Sequence, residues 1–455
     1  MTALLLKDFV RSKSLVAGAT LLLITGLLSL YIGGLFLEQQ EETMVLAATA
    51  QWESIERTID FVADDDLGLF LYYARFGLAN ETPRIAGLSV GHRDVHPSTQ
   101  NVNIRNLEEQ RHVSILRNPL YQLLGNLDFS FVLIFLFPLI IIAFCFNVFS
   151  EEQEGGTWSL VLSQAKRPEK ILHQKFLLRF AAVQLILLLL LGLAKFYLQL
   201  PLDAYFLAFT LVAILYLTFW FSLSWFVIRL GKSSSHSALI LLLAWVLLTI
   251  VTPSTLNALE KTLYPVPEAY EALLESRDGY HNKWDEPKGP TLKKFKEVYP
   301  QFAAYDHPVG QSFGWLWYYA MQHLGDVEAA QATDELRLKL LGRHQFSQWA
   351  SYLFPTAHTQ LSLHTISHSD LINYLSFQDN LLAFHETKRL RFYPKVFEEN
   401  TVSSIDWSEY GTEYFQDARK VSWFSALLPL LVANALMLVL ARLFGVPYGL
   451  LRKGS

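Results

Sequence analysis

Residues 129–175 read FSFVLIFLFPLIIIAFCFNVFSEEQEGGTWSLVLSQAKRPEKILHQK. The first part, Phe129 to Phe149, carries no charge and is long enough to cross a bilayer, which takes roughly 20 residues. It ends in Glu151-Glu152-Gln153-Glu154-Gly155-Gly156-Thr157, and a basic stretch with Lys166, Arg167, Lys170 and Lys175 follows. Ser150 can cap a helix whose third residue is Gln153, a capping-box pattern. Glu151, Glu152 and Glu154 would then fill the first turn, where the helix dipole favours negative charge. Gly155 and Gly156 permit a bend or a close backbone approach. Thr157, Trp158, Leu160, Val161 and Leu162 continue the segment as an apolar surface. The spacing predicts a short helix lying against a membrane face. It can contact a partner, or it can simply cap the span.

The chain around this stretch is apolar throughout. Of its 455 residues 52% are hydrophobic and 17% charged, whereas soluble domains average about 25% charged. Apolar runs predict six transmembrane helices at 15–37, 129–149, 177–198, 204–228, 234–256 and 421–441. In the third, Arg179 and Lys195 bound an uncharged centre and can snorkel to opposite interfaces. Pro138 is a candidate kink in the second. The run after Lys7, Arg11 and Lys13 is too long for a cleaved signal peptide and reads as a retained span. Residues 1–14 alternate Leu4, Leu5, Phe9 and Val10 with Lys7, Asp8, Arg11 and Lys13. They suit a short amphipathic interfacial helix or a plain basic anchor.

Basic residues orient these spans. Lys7, Arg11 and Lys13, then Lys166 to Lys175, then Arg229 and Lys232, then Arg442, Arg452 and Lys453 all fall on one side of a six-span chain. That side is expected to be cytoplasmic, with both termini (1–14 and 442–455) and the 150–176 segment. Residues 38–128 and 257–420 then lie outside. Their apolar residues at helical spacing, such as Trp315, Leu316, Tyr319 and Leu324, predict one mainly helical outer domain built from two insertions. The last helix is expected to begin outside, near Glu413. The fold class is all-α and polytopic.

Few residues suggest chemistry. The net charge of -5 gives no reason to expect a nucleic-acid partner. The lone cysteine, Cys145, excludes an internal disulfide. His358, His364 and His368 lie close in sequence, with Asp370 and His385 further on. They can form a zinc or copper site, but without an H-E-x-x-H pattern a polar helix face is the ordinary reading, and no metal site is assigned. Asp64-Asp65-Asp66 reads as a solvated acidic loop rather than a calcium site. Asn147 and Asn434 can line a path or bond between helices. Ser233 to His236 is a polar turn between spans.

With these residues in view, the chain resembles the permease subunit of a type-2 ABC transporter. The resemblance rests on the Pro138-containing span, on Phe149 to Thr157, on Leu160-Val161-Leu162-Ser163-Gln164, and on the basic residues that follow. In that family an acid-x-x-x-Gly-Thr segment between the second and third spans is the coupling helix that contacts the ATPase. Here that pattern falls on Glu152, Gly156 and Thr157. The resemblance implies ATPase coupling through Glu151, Glu152, Glu154, Gly155, Gly156, Thr157 and Leu160, and an elbow helix carrying Lys7, Arg11 and Lys13. The two large insertions resemble a subgroup with a large periplasmic domain, where Leu88-Ser89-Val90-Gly91-His92-Arg93-Asp94, Arg117-Asn118-Pro119 and Gly125-x-x-Asp128-Phe129 look like recurring motifs.

The sequence has no Gly-x-x-x-x-Gly-Lys-Ser/Thr loop to cradle phosphates. The chain is therefore expected to bind no cofactor and to catalyse no reaction itself, with ATP and Mg held by a partner ATPase. The other implied partners are a second permease subunit, identical or related, the lipid bilayer, and a periplasmic or outer-membrane component. The location implied is the bacterial inner membrane. A membrane-anchored sensor or scaffold whose outer domain binds a ligand or envelope protein is the alternative. A membrane enzyme would need a polar catalytic cluster near the bilayer, and the sequence offers none.

Overall fold

The computed structural model describes residues 11–62, 66–111, 127–148, 150, 154–156, 168–266, 283–284, 286–308 and 310–445. It is a largely helical membrane protein. Five helices are long and apolar enough to cross a bilayer: α1 (Lys13–Val62), α5 (Pro168–Tyr197), α6 (Ala204–Arg229), α7 (Ser234–Leu263) and α12 (Trp423–Phe444). A shorter apolar helix, α4 (Phe129–Cys145), stands among them. Between these lie α2 (Leu67–Tyr73), β1 (Phe76–Asn80), β2 (Thr99–Val102), α3 (Leu107–Arg111), α8 (Lys288–Val298), α9 (Trp315–Ser351), α10 (Pro355–Ile366), α11 (Leu371–Phe397) and β3 (Glu413–Phe415).

α1 has 50 residues. At 1.5 Å per residue it is about 75 Å long, more than twice the hydrocarbon thickness of a bilayer. α5 begins at Pro168, so Lys170 and Lys175 are helical rather than part of a loop reaching to 176. Proline suits a first helical position because its missing N–H would be unpaired there anyway. α7 runs seven residues beyond the expected end at 256.

Two helices widen for one turn, each just before a proline. In α4 the turn Val132–Leu136 is π-helical and precedes Pro138; in α7 the π turn Leu247–Val251 precedes Pro253. Proline has no N–H to offer the carbonyl four residues back, which for Pro138 is Ile134. Tyr216 of α6 donates its hydroxyl to that carbonyl at 3.0 Å, and Trp245 of α7 donates Nε1 to Phe135 O at 3.2 Å. The freed Ile134 carbonyl and its neighbour on Phe135 thus tie three helices together in a setting without water. Asn434 is also an inter-helix link: its Nδ2 donates to Leu215 O of α6, and its Oδ1 accepts from Ser222.

The last span corrects the sequence reading. Glu413–Phe415 is a strand, and the helix starts only at Trp423. β3 pairs in parallel with β1, Leu78 opposite Glu413 and Asn80 opposite Phe415, while β2 pairs antiparallel on the other edge. β1 is buried along its length and needs a partner on each side to satisfy its backbone. A small mixed sheet therefore sits in an otherwise helical structure.

The buried apolar residues form two cores. One holds the spans. The other is aromatic, built on Phe70, Phe76, Phe295, Tyr319, Phe392, Tyr393 and Trp407. Within this second region Arg389 pairs with Asp326 at 2.6 Å and donates NH1 to His323 Nδ1 at 3.2 Å. Burial, with the Arg389 charge adding to it, pushes His323 down to about 3.

The two cores meet where α10 lies on α6 and α12. Its Leu363 and Ile366 belong to the spans' core, as do Ile85, Ala86, Leu88 and Val90. Gly33 of α1 lies against Gly87: a Cβ on Gly33 would sit 2.0 Å from the Gly87 carbonyl oxygen. No side chain fits there.

Candidate functional site

Two sites stand at opposite ends of α4. The first is the acidic segment beyond its C-terminal end. Glu154 Oε1 accepts the backbone N–H of Ser234 at 2.8 Å, and Oε2 accepts the Ser234 hydroxyl at 2.8 Å. The Ser150 and Ser234 hydroxyls are 2.6 Å apart. A carboxylate thus caps the first turn of α7, where unpaired N–H groups and the helix dipole both favour it. These bonds, the backbone one first, hold the Glu154 carboxyl below its usual range. Glu154, Gly155 and Gly156 are exposed. Gly156 has φ +70° with open space around it, so its backbone conformation rather than its packing calls for glycine.

Of the other residues picked out from sequence, Arg11 and Lys13 are exposed at the start of α1. Lys7, Glu151, Glu152, Thr157 and Leu160 lie outside the described residues, as does most of the segment's expected helix. The bond to Ser234 was not foreseen. Its only sequence trace is a run of serines, Ser233 to Ser235, at the start of a span.

The second site is where the aromatic core meets the spans, and it is built from buried charge. Asp128 caps α4: Oδ1 accepts Phe131 N–H at 2.8 Å, while Oδ2 accepts Val90 N–H at 2.8 Å. Ser130 donates both N–H and hydroxyl to Leu88 O. Gly91, at φ +51°, carries the chain past Ser369, whose carbonyl accepts His92 N–H at 2.7 Å. A Cβ on Gly91 would lie 2.5 Å from that carbonyl oxygen.

Arg93 then enters the interior. Its Nε donates to His368 O at 2.8 Å and its NH1 to Thr82 Oγ1 at 2.9 Å. Burial lowers its pKa to about 10, and the charges of Asp417 and Asp370 work against that fall. Arg419 forms a fork on Asp370, 2.9 Å and 2.8 Å to the two oxygens, and also reaches Asp417 at 2.6 Å. Asp417 further accepts from Asn373 at 3.0 Å and faces His368 Nδ1 at 3.2 Å. Burial would raise both carboxyls. The Arg419 bonds and charge outweigh it for Asp370, and bonds from His368, Arg419 and Asn373 do so for Asp417, leaving both below the usual carboxylate range.

The three histidines noted in sequence separate here. His358 bonds Ala426 O at 3.0 Å through Nε2, His364 is half-buried on α10, and His368 faces Asp417. Among the described residues no group of three or more His, Cys, Asp or Glu is placed to hold a metal ion. Sequence reasoning missed Asp417 and Arg419, and noted Asp370 only as a neighbour of the histidines. A signal was present, since Asp417-Ala418-Arg419 stands immediately before an apolar span, where charge is costly unless partnered. Arg93 lay in the quoted 88–94 motif without a role.

Residues 268–414 match the model of a family described as a domain of unknown function (DUF3526). That match covers well under half of the chain and ends within β3. No curated protein and no solved structure matches the chain.

Proposed function

We propose that this chain is the membrane-spanning permease subunit of a type-2 ABC transporter, working in export or extrusion. In this reading it sits in a bacterial inner membrane with both termini cytoplasmic. A separate ATPase, holding ATP and Mg, presses on the 151–164 segment. A second permease subunit, identical or related, completes the pathway.

The observation that carries the reading is the Glu154 cap on Ser234. It ties the acidic segment after α4 to the first turn of α7, so a displacement of the segment acts on two helices at once. α4 has a second attachment at its far end, where Asp128 holds Val90. A push on the acidic segment then reaches α7 through Ser234, and a push on α4 reaches the 88–90 stretch through Asp128. The reading places the motor on a separate polypeptide, in keeping with a sequence that has no phosphate-binding loop.

The test is reconstitution of the chain with its ATPase in lipid vesicles. ATP hydrolysis is expected to depend on the chain, and Glu152→Lys to abolish both the complex and that dependence. A complex that forms and hydrolyses ATP equally well with Glu152→Lys would count against the proposal. An outer domain whose ligand response persists without any ATPase would favour the sensor or scaffold reading.

A further inference from the structure

A cavity of about 320 Å³ opens at the boundary between the spans and the outer region. That volume lies at the small end of ligand-binding pockets, roughly 300–1,000 Å³. One wall is the connection between α5 and α6, with Leu200, Pro201 and Phe206; Ile85 closes the other side. Tyr205 adds an aromatic face, held by its hydroxyl to Arg419 O at 2.7 Å. Leu202 and Phe196 beside the connection are 76% and 77% exposed, as side chains turned to lipid are.

The charged side chains lining it are mostly acidic, Glu81, Asp203 and Asp417 against Arg84. Asp417 shares Arg419 with Asp370, and Arg84 faces Glu41 at 3.4 Å. Glu81 and Asp203 remain, both exposed and both lining the cavity. Glu81 accepts from the neutral Gln416 amide. Asp203 accepts two backbone N–H groups, of Tyr205 and Phe206, both on Oδ1 at 3.0 Å. Among the described residues neither carboxylate is in an ion pair. A second cavity of about 520 Å³ shares Glu81, Arg84 and Gln416 and extends along α1 past Gln40 and Met44.

We propose that this cavity binds a small apolar cation, an amine or quaternary ammonium on a hydrocarbon or aromatic body. The apolar wall takes the body, Glu81 and Asp203 take the charge, and the Tyr205 ring adds a cation–π face. An anion of the same shape would meet two unneutralised carboxylates and be rejected. The site stands whether or not the chain is a permease.

Calorimetric titration of the purified full chain in neutral detergent tests it. The probe is benzyltrimethylammonium, and the control is benzylsulfonate, the same ring with opposite charge. Saturable binding of the cation alone is expected, weakened about tenfold by Glu81→Gln combined with Asp203→Asn. Asparagine caps a helix as well as aspartate does, so the variant should unfold with its parent. If Asp203→Asn unfolds early, Glu81→Gln alone decides, with about a threefold loss. Equal binding of the sulfonate, no binding of the cation, or unchanged affinity in the decisive variant would overturn the proposal.

Discussion

α4 is flanked at both ends by a carboxylate that captures backbone N–H groups, and the two ends are built for different lifetimes. Asp128 is 6% exposed and holds its own helix and Val90 together inside the protein. Around it lie Arg93, Asp370, Asp417 and Arg419, each with several partners. Glu154 holds Ser234 in the open. Removing one member of a buried ion pair strands the other and costs several kcal/mol, whereas an exposed bond exchanges with water at little loss. The Asp128 end is a fixed joint and the Glu154 end is a releasable one.

The sharpest way to break the contrast is Arg419→Ala, which leaves Asp370 and Asp417 without their shared cation. Stability is expected to fall by about 3–5 kcal/mol, read as the denaturant midpoint of the chain in detergent. A loss below about 1 kcal/mol, the level of a surface pair, would remove the distinction between the ends.

Through His323, acid should weaken the aromatic core as well. His323 has a folded pKa of about 3, below the ordinary value near 6.5. The unfolded chain therefore binds the proton first, and stability is full above about pH 6.5 and lost as pH falls toward the folded value. Between about pH 6.5 and pH 4.5 the His323 part amounts to about 2–3 kcal/mol; Asp128, raised by burial to about 6, works against it in the same window, so the His323 part is read as the difference between the parent and His323→Gln at the two pH values. Asp370 and Asp417, with lowered folded values, keep their contribution above the ordinary carboxylate pKa near 3.9 and lose it only in stronger acid. An unchanged pH dependence in His323→Gln would show that His323 is not buried in its neutral form.

A smaller effect is expected from Asp128→Ala. It leaves the N–H groups of Phe131 and Val90 unpaired, at about 1–3 kcal/mol, with faster amide exchange at Val90 as the local readout. The smallest is Glu154→Ala, which should leave the unfolding midpoint unchanged while reducing ATP hydrolysis by the assembled complex. A variant that unfolds early without losing hydrolysis would reverse the roles assigned to the two ends.

Much of the membrane part was legible because apolar runs near bilayer length dominate their neighbours, as at Ala204–Arg229 and Trp423–Phe444. The π turns left a trace in Pro138 and Pro253, but proline alone does not say whether a helix bends, breaks or widens. Strand β3 escaped notice because three residues carry too little alternation to register, and its partner β1 lies more than 300 residues earlier. The charged joint escaped for a related reason. Arg93, Asp370 and Arg419 are single residues far apart in the chain, and only folding makes them neighbours. The acidic segment was conspicuous by composition, yet its bond to Ser234 joins two segments that no local pattern connects.

The central claim is that the segment around Glu154 is where a separate ATPase engages the chain. Gly155→Cys, in a Cys145→Ser background, places one exposed thiol there, since Cys145 is the chain's only cysteine and is buried. Cross-linking in native membranes, followed by mass spectrometry of the adduct, reads the contact directly. The account predicts an adduct with a protein that carries a Gly-x-x-x-x-Gly-Lys-Ser/Thr loop, in a yield that changes when ATP is added. A thiol that is accessible to soluble reagents but forms no such adduct, with or without ATP, would contradict it.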